Sequence, residues 1–136
     1  MLTEPQRPSH PLKFRHLPSL YAIVRQSPNA PVPAWATTAA FTSITRTADE
    51  LSIVCPAENI PKDFAPALRW ICLKLEGPFP FSQTGVLLSF IAPLSSNAIP
   101  IFAMSTYDTD YVLIPQEHAD RARGLLNEAG HELIKD

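Results

Sequence analysis

The sequence predicts an α+β protein, in which short strands are combined with two helices. In the second half, apolar side chains recur with helical spacing in two segments, and the runs around them are short and apolar, as in covered strands. Clustered prolines separate the ordered elements at Pro5–Pro11, Pro28–Pro33 and Pro56–Pro66. Any helix in the first half is therefore expected to be short.

The composition is that of a globular protein with its own core. The chain has 136 residues, of which 46% are apolar and 18% charged, so it can pack a core without disulfides or metal. Its net charge of −2 and its 11 scattered Lys and Arg residues argue against nucleic acid as a partner. Cys55 and Cys72 each lie in an apolar run, where a small buried side chain is expected.

Membrane and secretory segments are not expected. The apolar runs fall short of the roughly 18 residues that span a bilayer, and Met1–His10 is polar and interrupted by proline. The expected compartment is therefore the reducing cytoplasm, with no membrane as a partner.

The first half is expected to contain a bent strand, a hairpin and at most one helical turn. That turn is confined to Ala34–Ala39, because the preceding residues are rich in proline. Phe41–Thr45 and Leu51–Cys55 are expected to form a hairpin across a polar link. The first element runs through Leu12–Leu17 and then Leu20–Val24, and Pro18 and Ser19 are expected to bend it.

The second half is expected to follow the order strand, helix, strand, strand, helix, strand of the ferredoxin-like unit. Ser82 is placed to cap the first helix, Asn97 to end it and Gly130 to end the second. In order, the elements are strand Leu68–Leu75, helix Ser82–Leu94, strands Ile99–Met104 and Tyr111–Ile114, a helix from Pro115 to Ala129, and strand His131–Ile134.

The two hairpins have the same layout, which indicates an internal repeat. Each begins with a phenylalanine, Phe41 or Phe102, and each second strand ends in proline. Asp49 and Asp110 lie at equal distances from these phenylalanines. We therefore expect two related halves with their sheets side by side, an abbreviated one at residues 1–62 and a complete one at residues 63–136.

Three motifs in the second half add to this order of elements. They are Gln83-Thr84-Gly85-Val86-Leu87 at the first strand-to-helix turn, Ala98-Ile99-Pro100-Ile101 before the next strand, and Ser105-Thr106 with Asp110 before Tyr111-Val112-Leu113-Ile114. With them, Arg69–Ile134 resembles an ACT domain of the aspartokinase regulatory type. The two-copy layout is similar to that of tandem ACT proteins related to the CASTOR arginine sensors, with Leu12–Pro61 as the looser copy.

The resemblance implies a small ligand, typically an amino acid, held between ACT units by main-chain groups. Gly85 would let a ligand approach the backbone, and N–H groups at the helix start could receive a carboxylate. An amino group would need carbonyls near Ile99 and Ile101 or the carboxylates of Asp108 and Asp110. The candidate ligand-binding residues are Ser82, Gln83, Thr84, Gly85, Val86, Ile99, Pro100, Ile101, Thr106, Asp108, Asp110 and Arg46.

Each of these candidates also has an ordinary structural interpretation. Ser82 to Gly85 suits a plain helix cap, and Thr106, Asp108 and Asp110 suit a turn stabilised by local hydrogen bonds. Arg46 could pair with a ligand carboxylate or with the two aspartates, or it could be a solvated turn residue.

The sequence contains no motif for covalent chemistry, so neither catalytic residues nor a cofactor are predicted. The four histidines lack the spacing of metal ligands, and no metal site is expected. The predicted function is that of an amino-acid-binding regulatory protein, expected to form a homodimer through exposed sheet edges. The alternative is a structural interaction module that binds no ligand.

Overall fold

The structure is a computed structural model that describes residues 11–80 and 82–135. Met1–His10, where a signal segment was not expected, lies outside the described residues. Eight strands are formed: β1 Lys13–His16, β2 Tyr21–Gln26, β3 Ser43–Arg46, β4 Leu51–Pro56, β5 Trp70–Leu75, β6 Phe102–Ser105, β7 Asp110–Pro115 and β8 Glu132–Leu133. The two helices are α1 Val86–Ser95 and α2 Ala119–Glu128.

The chain divides into two compact units. The helical unit joins the described residues up to Leu17 with those from Cys72 onward, and the short unit is Pro18–Ile71. The sequence placed a division after residue 62 and assigned the first strand to the first half. In the structure β1 instead pairs with β5 and β8 of the helical unit.

The helical unit has the mixed α+β fold expected for the second half. Its strands are ordered β6, β7, β5, β1, β8, with α1 joining β5 to β6 and α2 joining β7 to β8. The first strand is antiparallel to β5 and parallel to β8. The ferredoxin-like ACT fold is thus present, with β1 inserted beside β5 and the closing strand beyond it.

Aromatic and histidine side chains fix β1 and β8 to the first helix. Phe14 is 1% exposed and meets Phe90 of α1 edge to face, with ring centroids 5.1 Å apart. His131 is also buried, and its Nδ1 accepts a hydrogen bond from the Leu12 N–H at 3.0 Å. Its Nε2 lies 3.0 Å from the Ser89 carbonyl oxygen, so a neutral ring that is protonated on Nε2 satisfies both partners.

The two helices differ in surface chemistry. α2 carries acidic and basic side chains on its outer face and buries Ala122 and Leu126. α1 has no charged residue at all, and its polar Ser89 is buried beside Phe90 and Leu94. Because α1 is apolar on nearly every side, its outward face is also apolar.

Three strands, β2, β3 and β4, lie wholly within the short unit. β4 lies between β2 and β3, antiparallel to both, and Tyr21 of β2 also pairs with Trp70. A single 3-10 turn, Ala34–Ala36, stands where the helical unit has α1, as the proline-rich sequence predicted. A buried cluster closes one face of this sheet: Ala22, Val24, Ala36, Leu51, Ile53, Cys55, Ala57 and Ile60.

The repeat is visible as a shared strand order, β2-β4-β3 in the short unit and β5-β7-β6 in the helical unit. The hairpin registers place Thr47 opposite Thr106 in the repeat, Asp49 opposite Asp108, and Pro56 opposite Pro115. Each proline is followed by a 3-10 turn, at residues 57–59 and 116–118. The sequence alignment of Asp49 with Asp110 was therefore wrong by two residues, because it was anchored on the phenylalanines rather than on the turns.

The ends of the helices also differ from expectation. Ser82 does not cap α1, which begins after Gly85, a residue in the left-handed region with φ of 78°. At the other end Ala98, with φ of 59°, takes the left-handed conformation expected of Asn97. The Asn97 amide instead donates to the Pro93 carbonyl at 2.7 Å. Glycine at the first position is what allows the sharp entry into the helix.

The helices found in the described residues are both ten residues long, too short for a bilayer span. Both cysteines are free thiols and buried, as expected of small apolar side chains.

Candidate functional site

A cleft of about 440 Å³ lies in the helical unit, between the start of α1 and the turn that joins β6 to β7. A volume of this size is within the range of small-molecule sites. Three segments form its walls: the loop from β5 to α1, the first turn of α1, and the β6–β7 turn. The lining residues are Phe79, Pro80, Gln83, Gly85, Val86, Leu87, Leu88, Ser105, Thr106, Tyr107, Asp108, Thr109 and Asp110.

Hydrogen bonds within the β6–β7 turn hold one wall of the cleft. The Thr106 N–H donates to the Thr109 carbonyl at 2.8 Å, and the Thr106 hydroxyl lies 3.0 Å from the same oxygen. The buried Thr109 hydroxyl donates to the Leu75 carbonyl at 2.8 Å, which ties the turn to the end of β5. These bonds confirm the local structural role that was considered for Thr106.

The loop after β5 packs closely against this turn. The Phe79 N–H donates to the Asp108 carbonyl at 2.9 Å. At Gly77 an added Cβ would lie 2.8 Å from the same carbonyl oxygen and 3.1 Å from the Thr109 Cβ. Glycine at position 77 is therefore required by the close approach of two backbone segments.

The first turn of α1 presents backbone N–H groups without a side-chain cap. The first hydrogen bond within the helix runs from the Ser89 N–H to the Gly85 carbonyl at 2.9 Å. The N–H groups of Val86 and Leu87 therefore precede the helical hydrogen-bond pattern, and no side chain caps this end. Such an end attracts anions, since the helix dipole adds to the free donors.

The opposite wall is acidic. Asp110 accepts a hydrogen bond from the Ser105 hydroxyl, and Asp108 lies at the tip of the same turn. None of the lining residues is a lysine or arginine. Burial raises the pKa of the Tyr111 phenol, and the Cys72 thiol and the Asp108 carboxylate raise it further. The cleft thus combines an anion-attracting end with a cation-attracting wall.

Six of the twelve predicted site residues line this cleft. Gln83, Gly85, Val86, Thr106, Asp108 and Asp110 line the cleft, and Ser82 and Thr84 lie in the exposed loop that leads to it. Ile99, Pro100 and Ile101 do not line it, because they follow the far end of α1, where the Ile99 N–H donates to the Leu94 carbonyl at 3.1 Å.

Arg46 lies in the short unit, where its guanidinium has local partners. One Nη donates to the Pro28 carbonyl and the other to the Ala30 carbonyl at 2.8 Å. It therefore braces the loop that follows β2.

The lining residues that were not predicted are mainly apolar. Phe79, Leu88 and Tyr107 belong to no motif, and only the folded chain brings them together. One signal was present in the sequence, since Val86 to Ser95 contains no charged residue although a surface helix normally has a polar face.

A second cavity of about 400 Å³ is found in the short unit, lined by Pro18, Ser19, Leu20, Ala57, Glu58 and Arg69. Its cation is already engaged, because the Arg69 guanidinium donates to the Pro66 carbonyl. In the described part of the chain, no cluster of three or more His, Cys, Asp or Glu side chains could hold a metal ion.

Comparison with family models assigns the two parts of the chain separately. A model of the ACT domain matches residues 67–128, the stretch that contains the whole cleft. A different model, described as an N-terminal domain, matches residues 19–63. The ACT resemblance of the second half is therefore confirmed, and the tandem, CASTOR-like assignment of the whole chain is not.

Solved structures resemble the whole chain. Protein Atu0741 from Agobacterium tumefaciens is 42% identical, with a TM-score of 0.84, and the match covers 94% of this chain and 96% of that one. VC0802 from Vibrio cholerae, described as a protein of unknown function and possible transport protein, has a TM-score of 0.69. At 15% identity, with 88% of this chain and 90% of that one covered, VC0802 shares the fold alone. The curated proteins include no match.

Proposed function

Because the chain belongs to the family of Atu0741 and carries an ACT domain at residues 67–128, we propose that it is a non-catalytic regulatory protein that binds a free amino acid. The observation that carries this proposal is the pairing of opposite chemistries across one cleft. The α1 end attracts an anion, and the aspartate wall attracts a cation. A zwitterion offers both groups in one small molecule.

In the proposed complex, the ligand carboxylate accepts hydrogen bonds from the N–H groups of Val86 and Leu87. Its ammonium group lies against the carboxylates of Asp108 and Asp110, which have no basic neighbour in the cleft lining. Gly85 contributes backbone that a ligand can approach closely, since a glycine carries no Cβ. All five residues lie within one unit, so the site needs no residue from Ile99–Ile101 or Arg46.

The proposed mechanism is regulation by population shift. A ligand that joins the α1 start to the β6–β7 turn favours whichever conformation holds those two segments together. The chain would transmit this preference to a partner, and a homodimer is the proposed assembly. β3 and β6 each pair with a single strand among the described residues, so they offer edges for a second copy. Sedimentation velocity would show a single monomeric species if that assembly is wrong.

The compartment proposed is the cytoplasm. Its reducing conditions suit two free buried thiols.

Ligand binding is tested by thermal unfolding of the purified protein with each of the twenty amino acids. A ligand at a hundred times its Kd stabilises the folded state by about 2.7 kcal/mol, which raises the melting temperature. Asp108→Asn should remove most of the effect, because the amide is isosteric but lacks the charge that pairs with ammonium.

The matched control is Asp49→Asn, since Asp49 occupies the same position in the hairpin of the short unit. That variant should bind as the parent does. If no amino acid raises the melting temperature at millimolar concentration, the proposed function is wrong, and the alternative of a ligand-free interaction module is favoured.

A further inference from the structure

The exposed apolar side chains of the helical unit are concentrated at the cleft. Among the described residues of that unit, the large hydrophobic side chains that stand exposed are Leu88 at 65% and Tyr107 at 78%. Both line the cleft, Leu88 from the first turn of α1 and Tyr107 from the β6–β7 turn. Single exposed apolar residues are ordinary on a surface. When two exposed apolar side chains lie on facing walls of one cleft, an apolar group bound in the cleft covers both.

The rest of the apolar wall supports the same conclusion. Phe79, Pro80 and Leu87 complete a surface that carries no charge. The two carboxylates lie on the turn, at the other wall. The charged side chains of the cleft lining are therefore confined to the β6–β7 turn, where Tyr107 stands beside them, and the facing α1 wall carries none. A ligand with one small charged end and an apolar side chain fits this distribution.

We propose, building on the proposed function, that the site selects amino acids with a large apolar side chain, which packs between Leu88 and Tyr107. The α-carboxylate and α-ammonium groups occupy the α1 end and the aspartates. Acidic side chains are excluded because they would bring a further negative charge to Asp108 and Asp110. Small side chains bind weakly because they leave the apolar wall exposed to water.

Isothermal titration calorimetry with five amino acids separates this inference from the proposed function. Leucine and phenylalanine are expected to bind more tightly than alanine by about tenfold or more, the usual worth of a few buried carbon atoms. Glutamate is expected not to bind, and lysine to bind more weakly than leucine. If lysine or glutamate binds most tightly, amino-acid binding stands and the apolar selection is overturned. If none binds, both fail.

Leu88→Ala is the variant that tests the apolar wall. Because the Leu88 side chain is 65% exposed, its removal is expected to change stability by less than about 0.5 kcal/mol. It is expected to weaken leucine binding about tenfold while leaving alanine binding unchanged. The control is Leu68→Ala, which removes an equally large side chain that is 49% exposed in the short unit. Equal loss of leucine and alanine binding in Leu88→Ala would overturn the proposal.

The same variant distinguishes a ligand from a second copy of the chain as the cover for these residues. Sedimentation velocity of the ligand-free protein is expected to give the same distribution for the parent and for Leu88→Ala. If the parent dimerises and Leu88→Ala is monomeric, the apolar pair is a self-association surface and the proposal is overturned.

Discussion

The two hairpins of this chain share a register and a turn, but they differ in what faces the turn. In both, a threonine opens the turn and bonds to its last residues, Thr47 to Glu50 and Thr106 to Thr109. In the short unit, a guanidinium group reaches the corresponding backbone, because Arg25 donates to the Asp49 carbonyl at 2.8 Å. In the helical unit, the Asp108 carbonyl accepts from the backbone N–H of Phe79 instead.

A cleft forms at the β6–β7 turn because side chains at this hairpin are shorter than the arginines of the short unit. Ser105 stands where the short unit has Arg46, whose guanidinium fills the space beside the loop after β2. A short serine leaves room, and α1 supplies an uncapped N-terminus across that room. The hairpin of the short unit has Arg25 and Arg46 close to it. The cleft at the β6–β7 turn has no lysine or arginine in its lining. In the proposed complex, the ligand ammonium group supplies the positive charge that this lining lacks.

The largest expected effect comes from a part of the helical unit that has no counterpart in the short unit. His131 joins the end of α2 to β1 and α1 through two buried hydrogen bonds. His131→Phe keeps a planar ring but leaves the Leu12 N–H and the Ser89 carbonyl unpaired. Each buried unpaired group costs about 1–3 kcal/mol, so a loss of roughly 2–6 kcal/mol in the free energy of unfolding is expected for the two.

Chemical denaturation followed by two probes measures this loss in each unit. Far-UV circular dichroism reports the helices, which lie in the helical unit, and fluorescence reports Trp35 and Trp70 of the short unit. The control, His118→Phe, alters a partly exposed ring and is expected to change stability by less than about 0.5 kcal/mol. Equal losses for the two variants would contradict the role given to His131.

A smaller effect is expected at the contact between Gly77 and the β6–β7 turn. Gly77→Ala places a methyl group 2.8 Å from the Asp108 carbonyl oxygen, so the loop or the turn must shift. Overpacking of this kind costs about 1–3 kcal/mol. The matched change is Asn29→Ala in the loop after β2, where the side chain is exposed. Thermal melts should show a lower melting temperature for Gly77→Ala and an unchanged one for Asn29→Ala. An unchanged melting temperature for Gly77→Ala would mean that the contact is not rigid.

The sequence predicted the element order and the repeat because these rest on local patterns. Apolar spacing fixes a helix or a strand within a few residues, and the predicted ranges overlap all eight strands and both helices. The position of β1 was not predictable in this way. It depends on Phe14 meeting Phe90 and on His131 meeting Leu12, contacts between residues far apart in the chain.

The sequence predicted only part of the cleft lining, because only part of it lies in local motifs. The Gly85 turn and the aspartates are recognisable as short motifs, so these residues were found. Phe79, Leu88 and Tyr107 become one surface only after α1 packs over the sheet. Ile99–Ile101 were expected at the site from the resemblance, which places ligands between ACT units, whereas this cleft lies within one unit.

The smallest effect expected is on the pH dependence of stability, and it again involves α2, which the short unit lacks. Burial lowers the pKa of His16, and the neighbouring Arg123 guanidinium, 3.4 Å from His16 Nδ1, lowers it further. The unfolded chain then binds more protons than the folded one just below the usual histidine pKa. Stability therefore rises with pH through this window and falls on acidification. Because His16 is partly exposed, solvent screens the effect.

Arg123→Ala should flatten this dependence without abolishing it, because burial, the larger cause, remains. Unfolding free energies measured between about pH 8 and about pH 5, where histidine titrates, would test this. Arg121→Ala is the control, since it removes a cation of the same helix that makes no contribution to the His16 shift. A parent and an Arg123→Ala variant with identical slopes would show that the Arg123 contact is fully screened, leaving burial as the sole cause.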